Sequence, residues 1–451
     1  MRRTEAPATP PVALTIATSD SGGGAGIQAD LKTMEAGGAF GTSVLVATTA
    51  QNTRGVERIH TLPLEETEAQ LDAVTDDFDV RAAKTGMLAT TEIVGTVAAR
   101  AREFTFPLVV DPVMVATSGD RLLEPEAEAA YADLIAASTL VTPNADEAEV
   151  LTGKSIDDPD AAEAAGHDLV EMGADAALVK GGHVPGDDVV DVLVTDDSAT
   201  TFRHDRVATD ATHGSGCTLS SAIATRLAHG DDLRDAVGAG IDLLGRAVRY
   251  NIDVGEGPGA VHHTVEQRND AARNDTGEAV ERVVSALVDA DAGPLVPESG
   301  LTVVGATPYA ESPAEVAGVE GRITHTVDGV RPNRGVRFGV STDAARRLLA
   351  AREADPAYRF GVTCRLNDAV EDALSTLDGS VVTYDPTERP AGVETDDTTE
   401  WGVSHAFENS DGSPVAVVAR GAVGVEGVVT ILAADAETLT ERAGALLSAV
   451  R

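Results

Sequence analysis

A chain of 451 residues with 34 basic and 74 acidic side chains, formal net charge −40, is long enough for two or three domains, each with its own core. Such a charge repels nucleic acid and anionic membranes; spread along the chain rather than massed in one block, it reads as a solvated acidic surface suited to a very salty cytoplasm, where screening over a few ångströms removes most self-repulsion. Two cysteines, Cys217 and Cys364, and the lack of a signal peptide or long apolar span point to a reducing, cytoplasmic home, in which a Cys217–Cys364 disulfide has little compartmental support.

Residues 1–11 are Pro- and Ala-rich without an apolar core and are expected to form a disordered leader. The apolar run Ala13–Ala17, a glycine-rich loop and a helix starting near Ala25 make a strand-to-helix crossing, where ligands bind in open α/β sheets. The glycine spacing is not the dinucleotide fingerprint, and no P-loop ending in Gly-Lys-Ser/Thr occurs. Further runs at Ser43–Thr48, Leu108–Val110, Thr139–Val141 and Ala177–Val179 alternate with stretches of helical length such as Glu65–Asp77 and Pro125–Ala137. Such alternation predicts a mainly parallel sheet covered by helices. Several runs end in chemistry: Asp111 after one, Asn144 and Glu147 after another, Lys180 after a third. Polar groups at the carboxyl ends of strands converge on one crevice, although Asn144 alone would also suit a helix N-cap and Asp111-Pro112 a turn.

Residues 210–220, Asp-Ala-Thr-His-Gly-Ser-Gly-Cys-Thr-Leu-Ser, run from a glycine-bracketed turn into an apolar helix ending near His229. The backbone N–H groups of Gly214, Ser215, Gly216 and Cys217 would there face outward at a helix N-terminus, an anion hole that favours phosphate. The same field would lower the Cys217 thiol pKa, so that it could take a proton from a substrate hydroxyl. The alternative is a capped helix in which Cys217 is a small buried hydrophobe. His213 is placed to orient the turn, while His204 reads as a surface residue. Beyond His263, Thr264–Gly277 is polar and without apolar periodicity, a linker. A helix then runs from about Glu278 to Ala290 with Val280, Val283, Val284 and Leu287 on one face. Cys364 lies in the apolar run Tyr358–Leu366 and belongs to a core.

Residues 12–263 resemble the hydroxymethylpyrimidine and hydroxymethylpyrimidine-phosphate kinases of thiamine biosynthesis, members of the ribokinase-like superfamily. The resemblance is carried in order by Ser21–Thr33, Ala50–Val56, Lys84–Leu88, Val110–Met114, Ser118-Gly119-Asp120, Thr142–Ala148, Val179–His183, Thr212–Ser220 and Gly259–His263. It implies a ribokinase-like three-layer α/β fold with a mainly parallel central sheet. It also implies ATP and Mg²⁺ as cofactors, and two successive phosphoryl transfers: onto the pyrimidine's hydroxymethyl oxygen, then onto the phosphate so formed. By resemblance the pyrimidine is held near Asp30 and Gln51, with Gly24 in the adjoining loop and Met87 and Val113 as apolar walls. Asn144 and Glu147 are on the nucleotide and metal side, with Asp111 and Glu147 expected to hold Mg²⁺ partly through water. Lys180 would contact nucleotide phosphate, Gly214, Ser215 and Gly216 form the hole, and Cys217 acts as base. Of the four lysines, at 32, 84, 154 and 180, three fall in matching segments. A pyridoxal or pyridoxine kinase is the nearest alternative. A homodimer is expected from the family.

From 278 to 451 the chain resembles the ThiN type of thiamine-phosphate synthase domain, a second, smaller α/β domain. The matches are Gly305-Ala306, Glu320–Ile323, Arg337–Ser341, Ala345-Arg346, Trp401-Gly402 and Gly421–Glu426. Arg322 and Ser341 fit the family pattern. Asp343 stands where that pattern has a histidine, and a basic residue usual near Val425 is absent. An arginine with an imidazolium neutralises a departing pyrophosphate; a carboxylate in that place does not. Two expectations follow: a synthase joining the pyrimidine diphosphate to thiazole phosphate, or a non-catalytic ligand-binding module that regulates the kinase.

Overall fold

The computed structural model describes residues 7–451 apart from 115–124, 183, 185, 187, 391, 394–397, 409 and 411, and the side chains of 125–129. The first six residues of the expected leader, the Ser118-Gly119-Asp120 segment and His183 therefore lie outside the described residues. The chain forms two compact units, Met1–Gln267 and Arg268–Arg451.

In the first unit, β1 (Val12–Ala17) leads through the glycine loop into α1 (Gly26–Ala36) and β2 (Phe40–Leu45); β3 (Ala47–Asn52) and β4 (Gly55–Thr61) form a separate hairpin. Then come α2 (Leu64–Asp77), β5 (Val80–Thr85), α3 (Thr91–Ala101), β6 (Leu108–Val110), α4 (Pro125–Ile135), β7 (Leu140–Val141), α5 (Ala145–Thr152), α6 (Pro159–Glu171) and β8 (Ala176–Val179). The unit closes with β9 (Asp188–Thr195), β10 (Ala199–Asp205), α7 (Ser215–His229) and α8 (Leu233–Arg249). The sheet order is β10-β9-β8-β7-β6-β5-β1-β2. It is parallel from β2 to β8 and antiparallel at β9 and β10.

Strand side chains alternate between faces, so Leu108 and Val110 pack with Ile93, Val97, Leu134 and Leu169 on one side. Val109 packs on the other with Leu140, Leu178, Leu219, Ile223, Val237 and Ile241. Two helical layers thus cover a sheet whose inner strands β6, β7 and β8 are apolar throughout, as burial on both faces requires. The run Ser43–Thr48 is not one strand. Val46 donates to Ala17 O at 3.1 Å and accepts from Leu62 N at 2.9 Å, which ends the main-sheet pairing and turns the chain into the β3–β4 hairpin.

The expected linker 264–277 is helical: α9 (Val265–Ala271) and α10 (Arg273–Asp289) run through it, and the division between the units falls inside α9. Its buried positions, Val265, Asn269 and Thr276, recur at helical spacing but are mostly polar, so an apolar count does not see them. Asn269 is satisfied internally, its Oδ1 accepting from Tyr309 N at 2.9 Å and its Nδ2 donating to Glu315.

The second unit continues with β11 (Thr302–Ala306), β12 (Val316–Val319), a small hairpin of β13 (Ile323–Thr326) and β14 (Gly329–Pro332), and β15 (Val336–Phe338). It proceeds through α11 (Thr342–Ala354), β16 (Phe360–Arg365), α12 (Asp368–Ala373), β17 (Val381–Tyr384), α13 (Thr398–Glu408), β18 (Ala416–Ala419), β19 (Val428–Ala433) and α14 (Ala436–Val450). Its sheet, in order β15-β12-β11-β16-β19-β18-β17, is antiparallel except for β17 against β18. α10, α12 and α14 cover one face with Val280, Val283, Val370 and Leu446, and α11 and α13 the other with Leu348 and Val403. Cys364 is fully buried in β16, and both cysteines are free.

Candidate active site

Gly214 caps α7 at φ 84°, and no side chain closes the helix end. A Cβ at Gly214 would stand 1.9 Å from Gly24 O, so the turn needs glycine both for its backbone angle and for the approach of the glycine loop. The hole is narrower than expected from sequence. Ser215 N donates to Thr212 O at 3.1 Å, so the N–H groups of Gly214, Gly216 and Cys217 remain, without acceptors among the described residues, at the positive end of a 15-residue helix.

Beneath them, β6 delivers Asp111 and the end of β8 delivers Lys180. Asp111 Oδ1 accepts from Lys180 Nζ at 3.2 Å and from Thr142 Oγ1 at 3.3 Å, while the buried Oδ2 has no hydrogen-bond partner. A Cβ on Gly216 would lie 3.2 Å from that Oδ2 and 3.6 Å from Lys180 Nζ. The carboxylate oxygen and the ammonium therefore border the bare start of α7. Burial opposes the charge on Lys180, but Asp111 and then Glu147 more than offset it and hold its pKa above the ordinary lysine value.

Asn144 and Glu147 form the capping box of α5: Asn144 Oδ1 accepts from Glu147 N at 2.9 Å, and Glu147 Oε2 from Asn144 N at 2.8 Å. Asn144 is thus an N-cap, the other role its sequence position suited, with its side-chain oxygen committed to the helix start. Glu147 is 6% exposed. Burial pushes its carboxyl up to about 7, against the nearby Lys180 and with the help of Asp111. Among the described residues no group of three or more His, Cys, Asp or Glu could hold a metal ion. The donor set is instead what Mg²⁺ with nucleotide phosphates requires: one or two hard oxygens, of which Asp111 Oδ2 is unpartnered.

The acceptor side is built by the glycine loop, the β3–β4 hairpin and the loops after β5 and β6. Met87 clusters with Ala47 and Ala89, and Val113 packs against them, as an apolar wall requires. Gln51 Oε1 accepts from Thr49 Oγ1 at 3.1 Å and its Nε2 lies 3.5 Å from His213 Nε2. One arm of the amide is therefore already engaged. Gly24 is fixed from two sides: its N–H donates to Asp20 Oδ2 at 2.9 Å and its carbonyl accepts from His263 Nε2 at 3.2 Å. A Cβ there would come within 2.6 Å of His213.

Two expectations are overturned. Asp30 is fully buried and cannot meet a substrate: its oxygens accept from Thr15 Oγ1 (2.6 Å), Lys84 Nζ (3.0 Å) and Ser221 Oγ (2.7 Å). The Cys217 thiol pKa is not lowered. Burial, the largest influence, pushes it up to about 12; Lys84 opposes, Asp30 and Asp111 add to the rise, and a hydrogen bond from Gly26 N–H opposes. Burial and the two carboxylates together outweigh Lys84 and the Gly26 hydrogen bond.

One residue of the site, Asp20, was not singled out in sequence, and Lys84 only as a rare lysine in a matching segment. Asp20, 2% exposed, ties down the glycine loop by accepting from Gly22 N (2.7 Å), Gly24 N and Ala25 N (2.8 Å), and its Oδ2 is 3.2 Å from His213 Nε2. Burial raises its pKa, but the His213 hydrogen bond and the loop amides bring it below the usual range. An aspartate just before a run of glycines is the signal, since it can accept amides two to five residues on. Lys84, fully buried against Asp30, has only its rarity as a signal. Burial opposes its charge, yet Asp30, with Cys217 and Asp111, holds its pKa above the lysine value.

In the second unit Arg322 and Ser341 both have left-handed backbone, φ 66° and 58°, a strain of about 1–3 kcal/mol for such residues. The structure brings them to one carbonyl: Val319 O accepts from Arg322 N at 3.4 Å and from Ser341 Oγ at 3.0 Å. The Arg322 guanidinium donates to Ser299 O at 3.0 Å. Asp343 is exposed in the first turn of α11, and its carboxylate forms no hydrogen bond or ion pair among the described residues.

Residues 20–262 match the model of the phosphomethylpyrimidine kinase family, and residues 279–444 that of thiamine-phosphate synthase ThiN. A hydroxymethylpyrimidine/phosphomethylpyrimidine kinase of Rhizobium meliloti is 47% identical over 257 residues, covering 56% of this chain and 96% of that protein. A thiamine biosynthesis bifunctional protein, ThiED, of Geobacter sulfurreducens is 46% identical over 252 residues, 55% of this chain and 51% of that protein. Among solved structures, the ADP complex of Bacillus subtilis pyridoxal kinase superposes with a TM-score of 0.54 at 32% identity, covering 57% of this chain and 99% of that one.

Proposed function

From the chain's membership of the phosphomethylpyrimidine kinase family, with a ThiN unit behind the kinase, we propose how its residues divide the work. The first unit phosphorylates hydroxymethylpyrimidine and then its phosphate, with ATP as donor. The observation that carries the assignment of roles is the unpartnered Asp111 Oδ2, set with Lys180 against the bare N-terminus of α7. The γ-phosphoryl group lies against Gly216 and Cys217 N–H, with Gly214 and Ser215 shaping the turn. Lys180 meets phosphate as a point charge. Asp111, with Glu147 behind it, would hold Mg²⁺, which supplies charge neutralisation between phosphate oxygens when bound. The Gln51 amide Nε2 faces the pyrimidine, whose flat methylated ring lies on Met87 and Val113, with Gly24 leaving room in the loop.

Cys217 meets the acceptor hydroxyl as a neutral thiol. In a loose phosphoryl-transfer transition state the alcohol keeps its proton until late, so the thiol acts as a relay: it gives its own proton to an oxygen of the transferred phosphoryl group as it takes the hydroxyl proton onto sulfur, and ends as the neutral thiol it began as. For the second transfer no alcohol proton is removed. The likeness to a pyridoxal kinase keeps pyridoxal as the competing acceptor; side-by-side kcat/KM values for the two acceptors decide between them.

In the second unit, Arg322 and Ser341 form the anion-binding corner and Asp343 withholds the second cation. The reading favoured by that exposed carboxylate is a binding module for thiamine phosphate or its precursors; the competing reading is an active synthase. A cytoplasmic homodimer is the assembly that the family resemblance implies; among the described residues no helix is long and apolar enough to cross a membrane. The test is a coupled assay of the whole protein in high salt with hydroxymethylpyrimidine, Mg-ATP and thiazole phosphate. Pyrimidine diphosphate without thiamine phosphate supports the kinase with a binding module. Thiamine phosphate formation establishes the synthase, and no pyrimidine phosphorylation overturns the whole reading.

A further inference from the structure

Arg206 follows β10 and gives all three of its guanidinium nitrogens to one loop: Nη1 donates to Gly182 O at 2.7 Å, Nη2 to Val184 O at 2.6 Å and Nε to Gly186 O at 2.8 Å. In a chain of net charge −40 this guanidinium has no carboxylate partner among the described residues. The loop it holds begins immediately after Lys180. Its root is fixed separately, Gly181 N donating to Asp191 Oδ1 at 2.8 Å, and the buried Asp191 in turn lies 3.5 Å from His204 Nε2. A Cβ at Gly181 would come within 2.1 Å of Val190 O, so the root has no room to shift. The antiparallel pair β9–β10 that ends an otherwise parallel sheet thus carries Asp191, His204 and Arg206, all turned to one segment.

We infer that Arg206 is a positioning residue for the nucleotide: it holds Gly182, Val184 and Gly186 beyond the carboxyl end of β8, so that Lys180 meets ATP in a fixed place. This rests on the assignment of Lys180 to nucleotide phosphate. Charge-assisted hydrogen bonds to three carbonyls spread over five residues need a planar fork; an ammonium, a compact point donor, cannot span them. These three bonds, with the Gly181 N–H bond to Asp191, tie Gly181, Gly182, Val184 and Gly186 to the strand pair beside them. The acceptor wall and Cys217 are built from other segments, and holding this loop does not bear on them.

The experiment compares the full-length protein with Arg206→Met and Arg206→Lys, using steady-state kinetics and amide hydrogen exchange over residues 181–187 without ligand. Both variants are expected to raise KM for ATP about tenfold or more, to leave KM for hydroxymethylpyrimidine unchanged and kcat within about threefold, and to lose protection in the loop. Added guanidinium should restore ATP KM in Arg206→Met only. Lost protection with an unchanged ATP KM, or a rise confined to the pyrimidine KM, overturns the inference. Should Arg206→Met fail to fold, Arg206→Lys carries the same comparison. A wild-type protein that protects the loop but binds no AMP-PNP in calorimetry would refute the nucleotide assignment while leaving the clamp standing.

Discussion

Cys217 is the residue at which two effects of opposite sign can be separated. If it handles the acceptor proton, Cys217→Ala should lower the first phosphorylation about 100-fold, the lower range for general acid–base work. The second transfer should stay within about threefold; equal losses in both would leave the thiol only a shaping role. His263 allows a pH test. Burial first, then Lys32 and the other histidines, push its pKa down to about 4 from an ordinary 6.5, so the fold requires it neutral. A depressed folded-state value contributes stability that is complete above pH 6.5 and is lost as pH falls toward 4, at most about 3 kcal/mol. Thermal melts of wild type and His263→Gln between pH 7 and 4 should converge as pH falls; parallel curves would contradict the assignment. The residue scale is where sequence reading did least well. Strand ends placed Asp111, Asn144, Glu147 and Lys180 in one crevice and the resemblance added Gln51 and Asp30, but neither could tell Asp30, buried with three donors, from Asp20, which holds the loop ten residues earlier. Burial and partners decide that difference, and neither is written in local pattern.

At the scale of elements the site depends on how helices begin. The α7 turn has no substitute for glycine at its cap. Gly214→Ala would add the left-handed cost of about 1–2 kcal/mol to a contact with Gly24 O that cannot be relieved without moving the loop. Circular dichroism melts should show a large loss, and phosphate affinity should fall with it. Asn144→Ala removes the N-cap of α5 at about 1 kcal/mol and frees the backbone that holds Glu147, so a stability loss accompanied by weaker Mg²⁺ binding is expected; a loss without the metal effect would make the cap purely structural. The elements themselves were legible. Runs at 13–17, 108–110 and 177–179 are strands because continuous Val, Leu and Ala suit a sheet buried on both faces. Two failures have one cause each: the break at Val46 is made by hydrogen bonds to Ala17 and Leu62, which no apolar count contains, and α9 and the start of α10 bury Asn269 and Thr276 where hydrophobic periodicity looks for leucine.

For the whole molecule, the excess of carboxylates predicts a protein stabilised by salt. The unfolding midpoint should rise steeply from low ionic strength to molar KCl as self-repulsion is screened, whereas a midpoint indifferent to salt would show that the surface charge is already neutralised within the fold. The two-unit architecture was legible from the change of character after His263, but not the pairing of the second sheet, in which β16 sits between β11 and β19, each far from it in sequence. The four lysines now separate by environment: Lys32 and Lys154 are exposed, Lys84 has a side-chain exposure of 0% and Lys180 of 14%. Amine-directed acylation followed by mass spectrometry would therefore yield two constant side-chain labels, one silent position and a single variable one, so that the protein carries its own occupancy meter in the modification of Lys180 as nucleotide comes and goes.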